Sequence, residues 1–498
     1  MTTVLPFDHG RHSPLRRRRD RPERPRRFAL MVAAAAGVAL ASFAAGLLVT
    51  AASSRFESAG PVLMVGVPLA AGVTLWALDR PLVAVALWVV SLPAGLIELG
   101  PLQVVQVVAL GTAGLLTLHR LASGSAPLPW PPTVTWAAVL VVLAFAATPS
   151  APDTALAYRT VVSLAIGLCL ALATVAACRG LGDLRRLVHL LMAVGAVMCA
   201  TSLSSASELR ASYGGGVVQN RAVGLFRQPN ELGTFSAVLL MVSLGVVLGA
   251  RSRRERLGAA ATVLISLAAL GLTLSRGAWI GTVLAGLLLI AVLPQARRGL
   301  LLAGVPIVLA AAAFGVFRPS SPQVDVVSAR LGTIVDPAAN PYDDRPAIYR
   351  EAFRQIRLDP LTGQGPGNFP RVAVRSASAS QNVRPYHAHN VLLTVAAELG
   401  LPAAALVVGL AASVALRMAR ARRVLSGPDA ALVLGIGAGM FAFVGQGLVD
   451  FTMRNPTIFL FVWFGYGLVL VCVREIDSAV AAVSRGRRPA GPRVSAGA

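Results

Sequence analysis

Apolar residues run along this chain in blocks of about 20, the length a helix needs to cross a hydrocarbon layer. Such blocks begin near residues 29, 61, 82, 102, 133, 157, 187, 231, 257, 277, 299, 390, 430 and 456. They predict an all-α polytopic membrane protein with about 12–14 transmembrane helices, the lower count applying where the short or proline-interrupted blocks at 61, 82 and 133 do not cross. The block Leu257–Val292 is too long for one span, and only "SRG" (275–277) can break it. A tight hairpin is expected there, with Arg276 at or just below the interface.

The polar positions divide the chain further. A basic, proline-punctuated tail (1–27) is followed by a first set of spans (28–317), a long polar segment (318–389), a last set of spans (390–473) and a second basic tail (474–498). Arginines crowd the short connections "CRGLGDLRR" (178–186), "RSRRER" (251–256), "QARR" (295–298) and "RMARARR" (417–423). Basic short loops stay on the cytoplasmic side, so both tails are expected there. The loop 203–230 and the segment 318–389 then lie outside.

Within the long segment, "RPAIYREAFRQIRLDP" (345–360) sets Ile348, Ala352, Phe353 and Ile356 on one helical stripe, ended by Asp359-Pro360. It reads as an amphipathic helix lying on the membrane surface. "LTGQGPGNFP" (361–370) is turn chemistry.

Composition narrows the class. Of 498 residues, 55% are hydrophobic and only 13% charged, which excludes a soluble multidomain enzyme. The net charge of +23 suits an anionic membrane leaflet rather than nucleic acid, because the arginines sit in tails and inter-span connections. The basic residues are all Arg, as in a GC-rich bacterial genome. Cys169, Cys178, Cys199 and Cys472 lie in or beside apolar blocks without CxxC spacing, so neither a disulfide framework nor a zinc site is indicated.

Candidate chemistry collects on the outer side. His387 and His389 stand where the long segment enters the span beginning at Asn390. Arg221, Arg227, Arg276, Arg345 and Arg350 fall on the same face, and guanidinium forks suit phosphate and diphosphate. Each has a plain reading too. His389 anchors a helix end, Arg276 snorkels to the interface, Arg221 and Arg227 are loop charges, and Asn230-Glu231 is a helix cap with a first-turn acid. Glu398, half a rotation round the helix from His389, is expected to bond elsewhere.

In this order, "RAVGLFRQPNELGTF" (221–235), "LTLSRGAWIG" (272–281), "RPAIYREAF" (345–353), "PLTGQGPGNF" (360–369), "HAHNVLLTVAAELGL" (387–401) and "LVDFTMRNP" (448–456) resemble the O-antigen ligase and polymerase family of bacterial membrane glycosyltransferases. The resemblance spans about 215–460. It implies the third glycosyltransferase membrane fold. The implied reaction moves a glycan from a polyprenyl-diphosphate carrier to an acceptor hydroxyl on the outer membrane face, with inversion and without metal or cofactor. The motif's His maps to His389 as activator of the acceptor, with Arg276 holding the diphosphate. Arg221, Arg227 and Asn230 map to the loop motif, and His387, Asn390, Arg345 and Arg350 are its neighbours toward substrate. The partners implied are the lipid-linked donor, a saccharide, lipid or protein acceptor, and membrane lipids, with no nucleic acid. A lipopolysaccharide core is absent from GC-rich Gram-positive cells, so polymerase and exopolysaccharide roles stand level with ligation. The rival classes are a lipid-linked glycan flippase or other transporter, which would hold its ionisable groups near the bilayer midplane, and a non-catalytic scaffold of a polysaccharide machine.

Overall fold

The computed structural model describes residues 80–99, 102–124, 131–204, 221–293, 332, 345–373, 376–377, 382–383, 386–425 and 427–485. The expected blocks near 29, 61 and 299 and most of both tails lie outside these residues. The chain divides into two compact units, Met1–Asp79 with His119–Ser125, and Arg80–Leu118 with Ala126–Ala498. Every element below belongs to the second, apart from the last residues of α2.

Thirteen α-helices follow one another among the described residues: α1 Pro81–Ser91, α2 Val104–Ser123, α3 Pro132–Ala146, α4 Thr154–Ala177, α5 Leu181–Ala200, α6 Pro229–Leu248, α7 Arg253–Leu272, α8 Arg276–Val292, α9 Arg345–Leu358, α10 Phe369–Val372, α11 Val391–Val424, α12 Gly427–Gly447 and α13 Pro456–Ser484. Two antiparallel pairs, β1 (Glu98–Leu99) with β2 (Leu102–Gln103) and β3 (Ser376–Ala377) with β4 (Asn382–Val383), are the only strands among them. The chain is an all-α polytopic membrane protein. By length and composition α2, α4, α6, α7, α11, α12 and α13 can cross a membrane, and the apolar α1, α3 and α8 are shorter.

Local chemistry sets the boundaries. Asp153, Ser252, Asn390 and Asn455 each cap a following helix through a side-chain oxygen, and Pro81, Pro132, Pro229 and Pro456 stand in first turns, where no amide partner is needed. α6 is the axis of the bundle, buried along nearly its whole length against α7, α8 and α12. One end of it carries Asn230. At the other, Gly249 O accepts from Arg185 Nη1 at 3.2 Å, and Arg185 also meets Glu255 at 2.6 Å and Pro428 O at 2.9 Å. Twenty residues at 1.5 Å each separate these ends by about 30 Å, one hydrocarbon thickness.

The long segment corrects the stripe expected for it. α9 docks on α11, burying Ala347, Ile348, Glu351, Ala352, Gln355 and Ile356, while Phe353 is 48% exposed. The buried face includes Glu351 and Gln355, which are tied into the fold by hydrogen bonds: Gln355 Nε2 donates to Glu351 Oε1 at 2.9 Å and to Phe369 O at 3.1 Å. Small residues make the contact close, with Ala352, Ile356, Phe369, Ala388, Ala396 and Ala397 forming one apolar cluster.

The glycine-rich turn does more than reverse the chain. α11 breaks at Gly400 (φ 82°), and a Cβ there would lie 2.1 Å from Leu361 O. The turn supplies the bonds the break removes: Gln364 N donates to Ala397 O at 2.8 Å, Gly365 N to Glu398 O at 2.9 Å, and Leu401 N to Pro360 O at 2.8 Å. Glu398 closes the joint by accepting from Gly367 N at 2.8 Å. A broken apolar helix survives only where protein satisfies its backbone, and here this turn does so.

Candidate active site

The site grows from the first turn of α6. Gln228 caps it, and Glu231 accepts from the amides of Arg227 and Gln228 at 3.0 and 3.2 Å and from Asn455 Nδ2 at 2.7 Å. Glu231 thereby fixes the "FRQPN" corner. Asn230 is not the cap, and its amide turns sideways instead. Its Oδ1 accepts from Arg221 Nη2 at 2.8 Å, and its Nδ2 donates to Asp450 Oδ2.

Arg221 reaches back to the hairpin, donating from Nε to Thr273 O at 2.7 Å. The run 257–292 turns here, between the end of α7 at Leu272 and the start of α8 at Arg276, through Leu274 in the left-handed region. Arg276 is half-buried at that helix start. Gly277 explains the "SRG" pattern: a Cβ on it would lie 2.6 Å from Val449 Cγ2. Glycine therefore lets the start of α8 close against the residue preceding Asp450.

On the far side, His389 Nδ1 meets Asp450 Oδ1 at 2.9 Å. A carboxylate only accepts, so Nδ1 carries the proton that faces Asp450, and in the neutral ring Nε2 keeps a lone pair. Burial raises the Asp450 carboxyl, but the His389 bond and charge and the Phe451 amide outweigh it, holding the group below the ordinary carboxylate value. The Asp450 side chain is buried, whereas that of His389 is 34% exposed. His389 itself adopts φ 48°, a left-handed backbone that costs a residue with a Cβ roughly 1–2 kcal/mol.

One bonded chain therefore runs from Thr273 O through Arg221, Asn230 and Asp450 to His389. It joins the hairpin, α6, the α12–α13 corner and the loop before α11. Asn390 takes a local role, accepting from Leu393 N at 3.0 Å and donating to Leu448 O at 2.7 Å. His387 is buried between the His389 ring, 4.1 Å away, and Phe451, 5.5 Å away, and burial with the neighbouring His389 charge pushes it down to about 3. Arg227 points to Glu98, 2.6 Å away, on an exposed edge. Arg345 is half-buried and Arg350 exposed on α9.

Asp450 is the residue sequence reasoning missed. It lies in "LVDFTMRNP", a stretch matched as a whole, and a lone acid closing an apolar block was the available signal. With His387 and His389 it forms the one described group having donor atoms, all within 4.8 Å, for a metal ion. Those donors already face one another: His387 Nδ1 accepts from the His389 amide and His389 Nδ1 donates to Asp450.

Residues 261–408 match the family model described as O-antigen ligase. The chain carries an O-antigen ligase domain. That domain includes Arg276, Arg345, Arg350, His387, His389 and Asn390, while Arg221, Arg227, Asn230 and Asp450 lie outside the matched residues and join the site by geometry alone. With the O-antigen ligase assignment comes a coarse activity, a ligase- or polymerase-type enzyme of cell-surface polysaccharide assembly. No curated protein matches the sequence. A chain from the solved structure described as "Structural coordination of polymerization and crosslinking by a peptidoglycan synthase complex" is similar at 20% identity over 71% of this chain and 99% of that one, with a TM-score of 0.41.

Proposed function

We propose that this protein transfers a glycan from a polyprenyl-diphosphate carrier to an acceptor hydroxyl on the outer face of the cytoplasmic membrane. The observation that carries the reading is the bonded chain ending in the His389–Asp450 pair, with Arg276 at the adjoining helix start.

His389 Nε2 takes the acceptor's proton as its oxygen attacks the anomeric carbon. The bond from that carbon to the diphosphate oxygen breaks, and the electron pair leaves on the polyprenyl diphosphate. A single displacement of this kind inverts configuration. Asp450 stabilises the imidazolium that forms. Diphosphate is a good leaving group once its charge is met, so Arg276, with Arg221 beside the hairpin and Arg227, Arg345 and Arg350 as further cations toward substrate, supplies that charge without a divalent metal. Asn230 and Asn390 hold the elements that carry the reacting groups.

The sidedness rests on the opposite end of the bundle. Arg185 and Arg251 gather there at the starts of α5 and α7, and Arg417, Arg420, Arg422 and Arg423 close α11. Arginine-rich ends remain in the cytoplasm, which turns His389 outward and returns both termini inside. Acceptor choice between saccharide, lipid and protein, and hence ligase or polymerase, depends on groups beyond this machinery.

The direct test incubates purified protein, in EDTA, with a defined polyprenyl-diphosphate oligosaccharide and candidate acceptors, followed by mass spectrometry. Joined product with release of polyprenyl diphosphate supports the reading. Intact donor with every acceptor class contradicts it.

A further inference from the structure

His387 was expected to face substrate, yet its surroundings point inward. The residue is only 8% exposed, its ring lying against His389 and Phe451. Its Nδ1 accepts from the backbone amide of His389 at 3.2 Å. His389 and Leu274 are the only described residues other than glycine with positive φ. A side chain two positions upstream thus satisfies the amide of a residue in a disfavoured backbone state, as a polar turn residue does.

We propose that His387 is a positioning residue that acts through His389: by accepting the His389 amide at Nδ1 it locks the left-handed turn that presents the His389 ring to Asp450. The assignment rests on reading His389 as the base. Accepting at Nδ1 requires the neutral ring with its proton on Nε2. The charged groups around it, His389, Asp450 and Arg454, include two that oppose a cation there, and burial acts in the same direction. Contact with Phe451 completes the clamp, because the Phe451 amide donates to Asp450 Oδ1 at 2.8 Å. One ring therefore spaces both halves of the His389–Asp450 pair.

The geometry makes a distinction that a substrate-contacting role would not. The Oδ1 of Asn falls near the place of His Nδ1, whereas the amide of Gln reaches toward Nε2. His387→Asn should keep kcat within about 10-fold of wild type, and His387→Gln and His387→Phe should lose about 100-fold or more, the scale of a misplaced base. KM for the lipid-linked donor should stay within about 2-fold in all three. The acidic limb of the kcat–pH profile should persist in His387→Asn, since a ring held neutral is not what titrates.

Gln matching or exceeding Asn, a shared rise in KM, or loss of the acidic limb in the Asn variant would overturn the proposal. So would collapse of both amide variants in protein that remains monodisperse with wild-type thermal unfolding. His389→Ala is run alongside: if it turns over normally, the base assignment fails, whereas an inactive His389→Ala with Asn and Gln equal at 387 sinks only the present inference.

Discussion

His389 and Asp450 are 61 residues apart in sequence, yet Nδ1 and Oδ1 meet at 2.9 Å. The carboxylate is buried and the imidazole reaches the surface, which is the polarity a general base requires. The other oxygen of Asp450 is engaged by Asn230, so the acid that orients the base is itself oriented from the arginine side.

Asp450→Asn tests that pairing. The amide is close in shape but removes the charge that stabilises imidazolium and allows the wrong tautomer. We expect kcat to fall about 10²–10⁴-fold with donor KM little changed. Steady-state kinetics with unaltered donor affinity would support the role. A variant with wild-type kcat would remove Asp450 from it.

Arg276→Ala should act on the donor instead. Loss of a charge-assisted contact to diphosphate is worth about 1.5–3 kcal/mol, or roughly 10–100-fold in kcat/KM. Arg276→Lys should recover only part, because the ammonium lacks the planar fork. Donor titration by product release distinguishes the three proteins, and full rescue by Lys would argue for simple charge.

Much of this arrangement was legible in the sequence. Apolar blocks marked the helices, and "SRG" marked the turn because nothing else in 257–292 could end a helix. His389 and Asn230 were legible as polar residues at helix starts. Asp450 was not, since a lone acid at a helix end reads equally as loop charge and its partner Asn230 lies 220 residues away. The buried stripe on α9 omits Phe353, because alanine with the mutually bonded Glu351 and Gln355 occupies the face that the apolar pattern alone assigns to larger residues. α5 begins earlier than its apolar block because its first turns are polar, with Asp183 and Arg186 paired at 2.9 Å.

Gly400→Ala tests the broken helix. A backbone at φ 82° and ψ 168° is essentially reserved for glycine and should cost alanine about 1–3 kcal/mol, and the contact with Leu361 O adds to it. Thermal unfolding in detergent should show a lower midpoint, with activity falling in step as the turn 361–369 loosens. An unchanged midpoint would mean that α11 can close the gap without the turn.

Acid should loosen the site in a defined window. The folded value of His387 lies below its ordinary 6.5, at about 3, so the unfolded chain binds more protons between those values. This contribution is complete above about 6.5 and is lost progressively as pH falls toward about 3. Asp450, also held below its ordinary 3.8, adds a loss in the same direction at the acid end. The unfolding midpoint should therefore drop between pH 6.5 and 4 in wild type and drop less in His387→Asn. Equal slopes in the two proteins would show that His387 is not held neutral.

The central claim is that His389 deprotonates the acceptor of a diphosphate-linked glycan. Its most direct measurement is single-turnover transfer from a defined polyprenyl-diphosphate oligosaccharide, comparing wild type with His389→Ala at saturating donor. The account predicts that the variant still binds donor at wild-type affinity but forms product at least about 100-fold more slowly. Product formation at the wild-type rate by His389→Ala would contradict it.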